Sequence, residues 1–369
     1  SMDSNAPSML KYIMETPAQV RKNIYNAKVL TEKMVELFTN RPYRSVWLVA
    51  CGSSCNAAHC ARYYMREHLG VEIKVITPFT FNYYEHNMRE DDFVICISQS
   101  GCSTNTIESL RLCKKLGIPA IGLTGNAHSD FEREADYIVD YGLGGEKLDF
   151  VSKGVVTLTV FLMLFALYAA YAGGRISEKQ VEKEKDEMLR SIDNYEEQIH
   201  GFPAYFEANK QKLLSMERVY VIGAGANYGT ALEGAVKIGE TVHIVAVGYE
   251  VDEAIHGPQI QLTPNYNFIF IDPGDETTQR IMQSCKAARA MTDRVFIISN
   301  NPEIEGKEVM RVTNTIKEKL TPLYTLAFIQ LISYYVAETN ATWKQHPLMK
   351  EYKEILSGKS ASYWAYDCT

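Results

Sequence analysis

Residues 91–117 read DDFVICISQSGCSTNTIESLRLCKKLG, and the character of this stretch changes twice. The run FVICI is continuously apolar and rich in β-branched residues, which is typical of a buried strand. The last part alternates apolar and polar residues as an amphipathic helix does. Between them, residues 97–106 (ISQSGCSTNT) carry three serines, two threonines and one glycine. The stretch therefore predicts a strand that leads through a polar turn into a helix, as in a parallel sheet.

The same pattern occurs in both halves of the chain. RSVWLVACGSSCNAAHCA (44–61) resembles RVYVIGAGANYGTALEGA (218–235), since each is a β-rich run followed by a glycine-containing turn and an alanine-rich helix. DDFVICISQSG and IPAIGLTGN likewise correspond to PNYNFIFIDPGD and DRVFIISNN in the second half. Strands that alternate with helices predict parallel sheets, and a repeat of about 170 residues indicates a duplicated domain rather than a solenoid.

We therefore predict an α/β protein built from two doubly wound, flavodoxin-like parallel-sheet domains that arose by duplication. The first domain covers residues 20–173. The second covers residues 211–369 and includes a C-terminal tail. Residues 174–210 follow a Gly-Gly break and are highly charged, which predicts a helical connector.

Length and composition exclude several classes of protein. A chain of 369 residues is long enough for two cores, and a net charge of -7 argues against nucleic acid or an anionic membrane surface as the main partner. The eight cysteines form no CxxC pair and have no histidine at ligand spacing. This usage predicts reduced thiols in a cytoplasmic protein and no metal site.

One apolar segment is about long enough to cross a bilayer, VVTLTVFLMLFALYAAYAGG from Val155. A similar segment, LYTLAFIQLISYYVA from Leu323, lies in the second half but contains Gln330 and Ser333. A single span would place the two halves on opposite sides of a membrane. We therefore interpret the pair as the central core helices of the two domains, and predict no membrane.

The two polar turns of the first half predict a phosphate site. Doubly wound sheets bind ligands beyond the carboxyl ends of their strands, where helix N-termini with free N–H groups favour an anion. Residues 52–54 and 98–104 add hydroxyl donors there, and Gly101 lets the backbone approach a ligand closely. Ordinary helix capping by serine and threonine is the alternative. Where the first half has SQSGCST, the second has DPGDETT, whose acids would repel a phosphate, so we expect one site per chain.

A set of ionisable residues in the second half suggests acid–base chemistry. Glu233, Lys237 and Glu240 in ALEGAVKIGE are spaced at i, i+4 and i+7, on one face of a helix. The alternative is a solvated Glu–Lys pair, but the apolar neighbours indicate a buried helix. Burial raises the pKa of a carboxylate and makes it a plausible base near neutral pH. His256 in EAIHGP is followed by a Gly-Pro break, although a lone histidine is more often a packed or surface residue.

Taken together, these motifs resemble those of the tandem sugar-isomerase (SIS) domain family. The resemblance runs from about residue 20 to the tail and rests on ACGSS, ISQSG, ALEGAVKIGE, EAIHGP and SGKS. It implies that a sugar 6-phosphate is the substrate. The resemblance assigns Ser54, Ser98, Gln99, Ser100 and Ser103 to binding of the phosphate. We also expect binding of the substrate or its phosphate by Gly52, Ser53, Ser152, Glu233 and Lys237.

The resemblance also implies catalytic roles. His256 would open the sugar ring, and Glu240, 16 residues earlier, would move a proton between C1 and C2. Lys359 in SGKS would form a Schiff base with the open-chain sugar or contact it; a solvent-exposed tail lysine is the alternative. Residues 146–153 match the substrate loop of the family's glucosamine-6-phosphate synthases only in part.

The family contains glucosamine-6-phosphate synthases, which add a glutaminase domain, and fructoselysine-6-phosphate deglycases. The sequence begins about 40 residues before its first predicted strand, so we expect a deglycase or deaminase. Such an enzyme converts a ketosamine 6-phosphate to an aldose 6-phosphate and a free amine, without a metal or organic cofactor. A synthase-like isomerase or aminotransferase without its own glutaminase domain and a non-catalytic sugar-phosphate sensor are the alternatives. We further expect a cytoplasmic homodimer or larger homo-oligomer.

Overall fold

The computed structural model describes residues 8–364, which form two compact units. The first unit contains residues 18–185 and 345–364. The second contains Ser8–Pro17 and Asp186–Lys344. Each unit has one parallel sheet of five strands with helices packed on it.

Three strands of each unit lie where the β-rich runs predict them, and two further strands complete each five-stranded sheet. Those of the first unit are β1 (Ser45–Val49), β2 (Glu72–Ile76), β3 (Asp92–Ser98), β4 (Ile121–Thr124) and β5 (Tyr137–Asp140). Those of the second unit are β6 (Arg218–Gly223), β7 (Val245–Glu250), β8 (Asn267–Ile271), β9 (Val295–Ile298) and β10 (Val309–Met310). The order is β2-β1-β3-β4-β5 in one sheet and β7-β6-β8-β9-β10 in the other. Both are the flavodoxin order, which confirms the fold class and the duplication.

Helices alternate with the strands of the first sheet, whereas in the second sheet short 3-10 turns join β7 to β8 and the described residues between β9 and β10 contain no helix. The helices are α1 (Met9–Tyr25), α2 (Ala27–Thr39), α3 (Gly52–Leu69), α4 (Pro78–Tyr83), α5 (Thr104–Lys115), α6 (Phe131–Glu134), α7 (Lys153–Ala172), α8 (Glu178–Leu214), α9 (Ala226–Val242), α10 (Thr278–Met291), α11 (Pro322–Asn340) and α12 (Met349–Ile355). The 37-residue helix α8 covers most of the predicted connector.

The two apolar segments are central helices of their units. Among the described residues, α7 is the one helix long and apolar enough to cross a membrane, with a mean hydropathy of 2.1 in its most apolar window. Within that window 89% of the residues are buried inside the protein, and α11 is buried in the same way. Gln330 in α11 accepts a hydrogen bond from the hydroxyl of Tyr195 at 2.6 Å, so its burial leaves this oxygen paired.

The division into units differs from the predicted domain boundaries at the C-terminus. Residues 345–364 group with the first unit, whereas the sequence assigns them to the second domain. The physical reason is hydrogen bonding between the tail and the turn after β3. The amide of Thr104 donates to the carbonyl of Gly358 at 3.0 Å, and the amide of Ser360 donates to the carbonyl of Cys102 at 2.8 Å.

The cysteines of the described residues are free thiols. Cys51 and Cys55 are half-buried, and the other five are buried: Cys60, Cys96, Cys102, Cys113 and Cys285. Cys368 lies outside the described residues. The buried thiols agree with the prediction of packed, reduced cysteines within residues 8–364.

Candidate active site

The two predicted phosphate loops lie at the same edge of the first sheet. Residues 52–54 follow β1, and residues 98–104, which we call the serine loop, follow β3. The two strands are neighbours in the sheet, with Val49 paired to Cys96. The loops therefore lie side by side at the switch point, where the strand order reverses and where such sheets bind ligands.

Hydrogen bonds fix the conformation of the serine loop. The hydroxyl oxygens of Ser98 and Ser103 are 2.9 Å apart, and the amide of Gly101 donates to the Ser98 hydroxyl at 3.1 Å. The amide of Cys102 donates to the Ser100 hydroxyl at 3.1 Å. Ser103 is the N-cap of α5, so these hydroxyls cluster at a helix N-terminus. The arrangement is a preorganised set of neutral donors of the kind that binds an anion.

Gly101 is required by this loop for two reasons. Its φ is +67°, a left-handed conformation that side chains disfavour. A Cβ at this position would also lie 1.7 Å from the hydroxyl oxygen of Ser129. Any other residue would therefore push the serine loop away from the loop that follows β4.

The tail brings a cation to the serine loop. The ammonium group of Lys359 lies 3.3 Å from the hydroxyl oxygens of both Ser100 and Ser103. It also lies 5.3 Å from the ring centroid of Tyr363, within cation–π range. The structure thus places Lys359 at the predicted phosphate site, where it adds a positive charge to otherwise neutral donors.

Glu146 connects the serine loop to the start of α7. Its carboxylate accepts hydrogen bonds from the amides of Ser152, Lys153 and Gly154 at 3.0–3.1 Å and from the Ser152 hydroxyl at 3.0 Å. It also accepts a bond from the side-chain amide of Gln99 at 3.2 Å. Gln99 and Ser152, both predicted to bind substrate, are therefore directed at this carboxylate. The Ser152 side chain is fully buried there. Sequence reasoning missed this cap, because Glu146 lies six residues before Ser152, beyond the usual capping spacing.

We expect Glu146→Ala to lower the free energy of unfolding by about 2–4 kcal/mol, because buried N–H groups at the start of α7 would lose a charged acceptor. Urea denaturation followed by circular dichroism would measure it. Glu132→Ala is the matched control: this exposed carboxylate lies 3.6 Å from Nδ1 of the exposed His128, so the expected change is within about 0.5 kcal/mol. Equal effects of the two substitutions would contradict the assigned cap.

In the second unit, α9 carries the predicted ionisable face. The side chains of Glu233 and Lys237 are fully buried, and that of Glu240 is 35% exposed. The Lys237 ammonium lies 3.7 Å from Glu233 Oε1 and donates a hydrogen bond to Glu240 Oε1. A solvated surface pair is therefore excluded for Glu233 and Lys237. The buried lysine instead holds a carboxylate that a solute can still reach.

His256 lies on an exposed segment of the second unit. Short 3-10 turns precede and follow it, at Glu253–Ile255 and Pro258–Gln261. Gly257 between them has a φ of +120°, which confirms the predicted break. The imidazole is exposed, and so are the apolar side chains of Ile255 and Ile260.

The second unit uses its own carboxylates where the first has hydroxyls. The amide of Ala226, at the start of α9, donates to Glu318 Oε1 at 3.1 Å. The amide of Thr277, beside the start of α10, donates to Asp275 Oδ1 at 2.9 Å. Burial raises the pKa of Glu318, and the charge of Asp275 raises it further. The negative charge of these acids would repel a phosphate at both helix starts.

Thiols flank the phosphate loops but are poor candidates for nucleophiles. Burial raises the pKa of Cys55 to about 11 and raises that of Cys102 above its ordinary value. A cysteine attacks as the thiolate, so both remain unreactive near neutral pH.

Fold and site together define an α/β protein with two flavodoxin-like units and a loop rich in hydroxyl donors at the switch point of the first. The chain belongs to the SIS domain family, whose model matches residues 41–167 and 212–340. The two matches fall on the two sheets.

The chain is similar to the isomerizing glutamine–fructose-6-phosphate aminotransferases of Aquifex aeolicus and Pseudomonas putida. The first is 28% identical over 89% of this chain and 54% of the relative. The second is 28% identical over 92% of this chain and 57% of the relative. This chain therefore spans little more than half the length of these relatives.

Solved structures of low sequence identity share the fold. A protein from Clostridium difficile 630, proposed to be a phosphosugar isomerase, has a TM-score of 0.87 at 23% identity and covers 96% of this chain and 99% of its own. The C-terminal domain of glucosamine-fructose-6-phosphate aminotransferase from Francisella tularensis has a TM-score of 0.81 at 24% identity and covers 94% and 100%.

Proposed function

We propose that this chain is a phosphosugar isomerase that transfers a proton between C1 and C2 of an amino sugar 6-phosphate. More specifically, we propose a deglycase or deaminase that acts on a ketosamine 6-phosphate of the fructosamine type. The products are an aldose 6-phosphate and a free amine. The names of the relatives support the first statement, since they include an isomerase activity and fructose 6-phosphate.

The single observation that carries the proposal is the arrangement of Glu240 on α9. Proton transfer needs a base that is fixed in direction and accessible to the substrate. The fully buried Lys237 holds the Glu240 carboxylate, whose side chain is 35% exposed. A buried ammonium is costly unless acidic partners compensate it, and Glu233 supplies the second partner at 3.7 Å.

The serine loop and Lys359 supply the phosphate contacts of the proposed site. Hydroxyl donors and helix N-terminal amides bind a phosphate through hydrogen bonds, and the ammonium group of Lys359 adds charge. Because Lys359 projects from the tail, its ammonium group can contact either the phosphate or the open-chain sugar.

In the proposed reaction His256 assists ring opening by moving a proton between the ring oxygen and the C2 hydroxyl. Glu240 then removes a proton from C1 of the ketosamine, which gives an enaminol. The same carboxylic acid returns a proton to C2, and the nitrogen on C1 becomes part of an aldimine. Water hydrolyses the aldimine to the aldose 6-phosphate and the amine. The proton balance closes without a net change in oxidation state, because C1 is oxidised as C2 is reduced.

The second candidate is an isomerase of the aminotransferase type, which receives its nitrogen from another source. It is favoured by the activity named in the relatives and by the position of Lys359 at the serine loop. Both candidates use the same proton transfer. They differ in the carbon that carries the nitrogen, which is C1 in the ketosamine and C2 in glucosamine 6-phosphate, and in the origin of the amine.

Incubation with a panel of ketosamine 6-phosphates in deuterium oxide tests the proposal. We expect released amine, an aldose 6-phosphate and deuterium at C2. Fructose 6-phosphate with ammonia or glutamine is the parallel reaction, and formation of glucosamine 6-phosphate there alone would favour the second candidate. Tight binding of sugar phosphates without any turnover would favour a sensor and contradict the proposal.

We expect Ser98→Ala combined with Ser100→Ala to weaken binding of a sugar 6-phosphate by about 1–3 kcal/mol, or roughly 5- to 150-fold, because two donors to a charged acceptor are lost. Isothermal titration would measure it, with thermal unfolding as a check on folding, since both hydroxyls also accept backbone amides. Thr277→Ala with Thr278→Ala is the matched control at the corresponding helix of the second unit. Unchanged affinity in the serine variant would show that the phosphate site is elsewhere.

A further inference from the structure

Tail residues 357–363 approach the serine loop through contacts that the proposed chemistry does not explain. The amide of Ser360 donates to the carbonyl of Cys102 at 2.8 Å, and the amide of Thr104 donates to the carbonyl of Gly358 at 3.0 Å. They form an isolated antiparallel bridge at Lys359, not an extended ladder. Two backbone bonds are a weak constraint on an exposed segment, so the side chains next to the bridge decide how firmly it is held.

The side chain of Ser360, the tail residue next to Lys359, contacts the carboxylate of Asp130. One carboxylate oxygen of Asp130 accepts the hydroxyl of Ser360 at 2.5 Å, and the other accepts Arg133 Nη2 at 2.8 Å. The Asp130 side chain is only 5% exposed. Farther along the tail, the hydroxyl of Tyr363 donates to Asp149 at 2.6 Å. The residue that follows Lys359 is therefore fixed to a buried carboxylate.

We propose that Asp130 is a positioning residue, which holds the tail so that the ammonium group of Lys359 lies over the serine loop. Because Ser360 directly follows Lys359, fixing its backbone and hydroxyl also fixes the point from which the lysine side chain extends. The inference rests on the proposed function, because it assumes that Lys359 contributes to binding of the sugar phosphate.

The negative charge of Asp130 makes the inference testable, through the direction in which the affinity for a sugar phosphate changes when Asp130 is replaced. A carboxylate near an anion site repels a phosphate, so its removal alone would tighten binding. If Asp130 acts by placing Lys359, its removal weakens binding instead, because the cation is no longer held at the loop. The two roles therefore predict opposite changes in affinity.

The first test is hydrogen exchange in the ligand-free protein. In Asp130→Ala and in Ser360→Ala, we expect the amides of Ser360 and Thr104 to exchange at least about tenfold faster than in wild type. Asp130→Asn keeps an oxygen that can accept the Ser360 hydroxyl, so it should retain most of the protection. Glu134→Gln is the matched control, since this acid of the same short helix binds Arg111 at 2.7 Å. Unchanged exchange in both alanine variants would overturn the inference.

The second test is a titration with glucose 6-phosphate in a double-mutant cycle. We expect Asp130→Ala to weaken binding about 3- to 10-fold in wild type and to have no such effect in a Lys359→Met background. Equal weakening in both backgrounds, or tighter binding in wild type, would overturn the inference. If wild type binds no sugar phosphate, the proposed function itself fails, whereas the exchange result is obtained without any ligand.

Discussion

Glu240→Gln is expected to lower kcat by about 10²–10⁴-fold, while the affinity for a sugar 6-phosphate changes little. The carboxamide can still accept the hydrogen bond from Lys237, so the helix face stays intact. It cannot take a proton from C1 of the substrate. Steady-state kinetics on a ketosamine 6-phosphate and a parallel titration would separate turnover from binding.

The matched control for this substitution is Glu207→Gln, an exposed acid on α8 that pairs with Lys210 at 3.5 Å. It should leave both kcat and affinity unchanged. A near-normal kcat in the Glu240 variant would remove this residue from the mechanism. Loss of binding or of folding would assign it a structural role instead.

The second large effect is expected at His256. The exposed imidazole lies on a segment bounded by short 3-10 turns. Resemblance to the family leads us to propose that His256 acts in the site of a partner subunit. His256→Ala should then slow turnover of ring-closed substrate by about 10²-fold or more without unfolding the protein, because ring opening needs a proton relay near neutral pH. Thermal unfolding would check that the variant is folded.

Mixing the two inactive variants tests the shared site. A heterodimer of His256→Ala and Glu240→Gln would contain one site with both wild-type residues and one with neither. Random exchange makes half of the dimers mixed, so the mixture should regain about a quarter of wild-type activity. Tagged subunits would verify exchange. A mixture that stays inactive although exchange has occurred would disprove a site made from two chains.

The parts of the fold that depend on local periodicity could be predicted from the sequence. The β-rich runs predicted three strands in each half, β1, β3 and β4 in the first and β6, β8 and β9 in the second, and their repetition predicted two sheets of one kind. The buried face of α9 was also predictable, because the i, i+4, i+7 spacing of Glu233, Lys237 and Glu240 is a property of a single helix.

Other parts of the site depend on contacts between distant residues. Asp130 and Ser360 are 230 positions apart, and no periodic pattern relates them. The tail was assigned to the second domain because it follows that domain in the chain, although its hydrogen bonds are made in the first unit. Ser152 matched a family pattern, yet a buried carboxylate determines where its hydroxyl points.

The start of α5 in the first unit carries serine hydroxyls, whereas the start of α9 in the second unit is paired with a carboxylate. This contrast shows how the duplicated halves differ. In the second unit Glu318 occupies the position at the start of α9 that a bound anion would take. A side chain is present at every metabolite concentration, whereas a bound phosphate dissociates when its supply falls. The second copy thus satisfies the start of α9 with one of its own side chains, and this helix end needs no ligand. Under the proposed function the two copies divide the work: the first binds the phosphate, and the second presents the ionisable residues of α9.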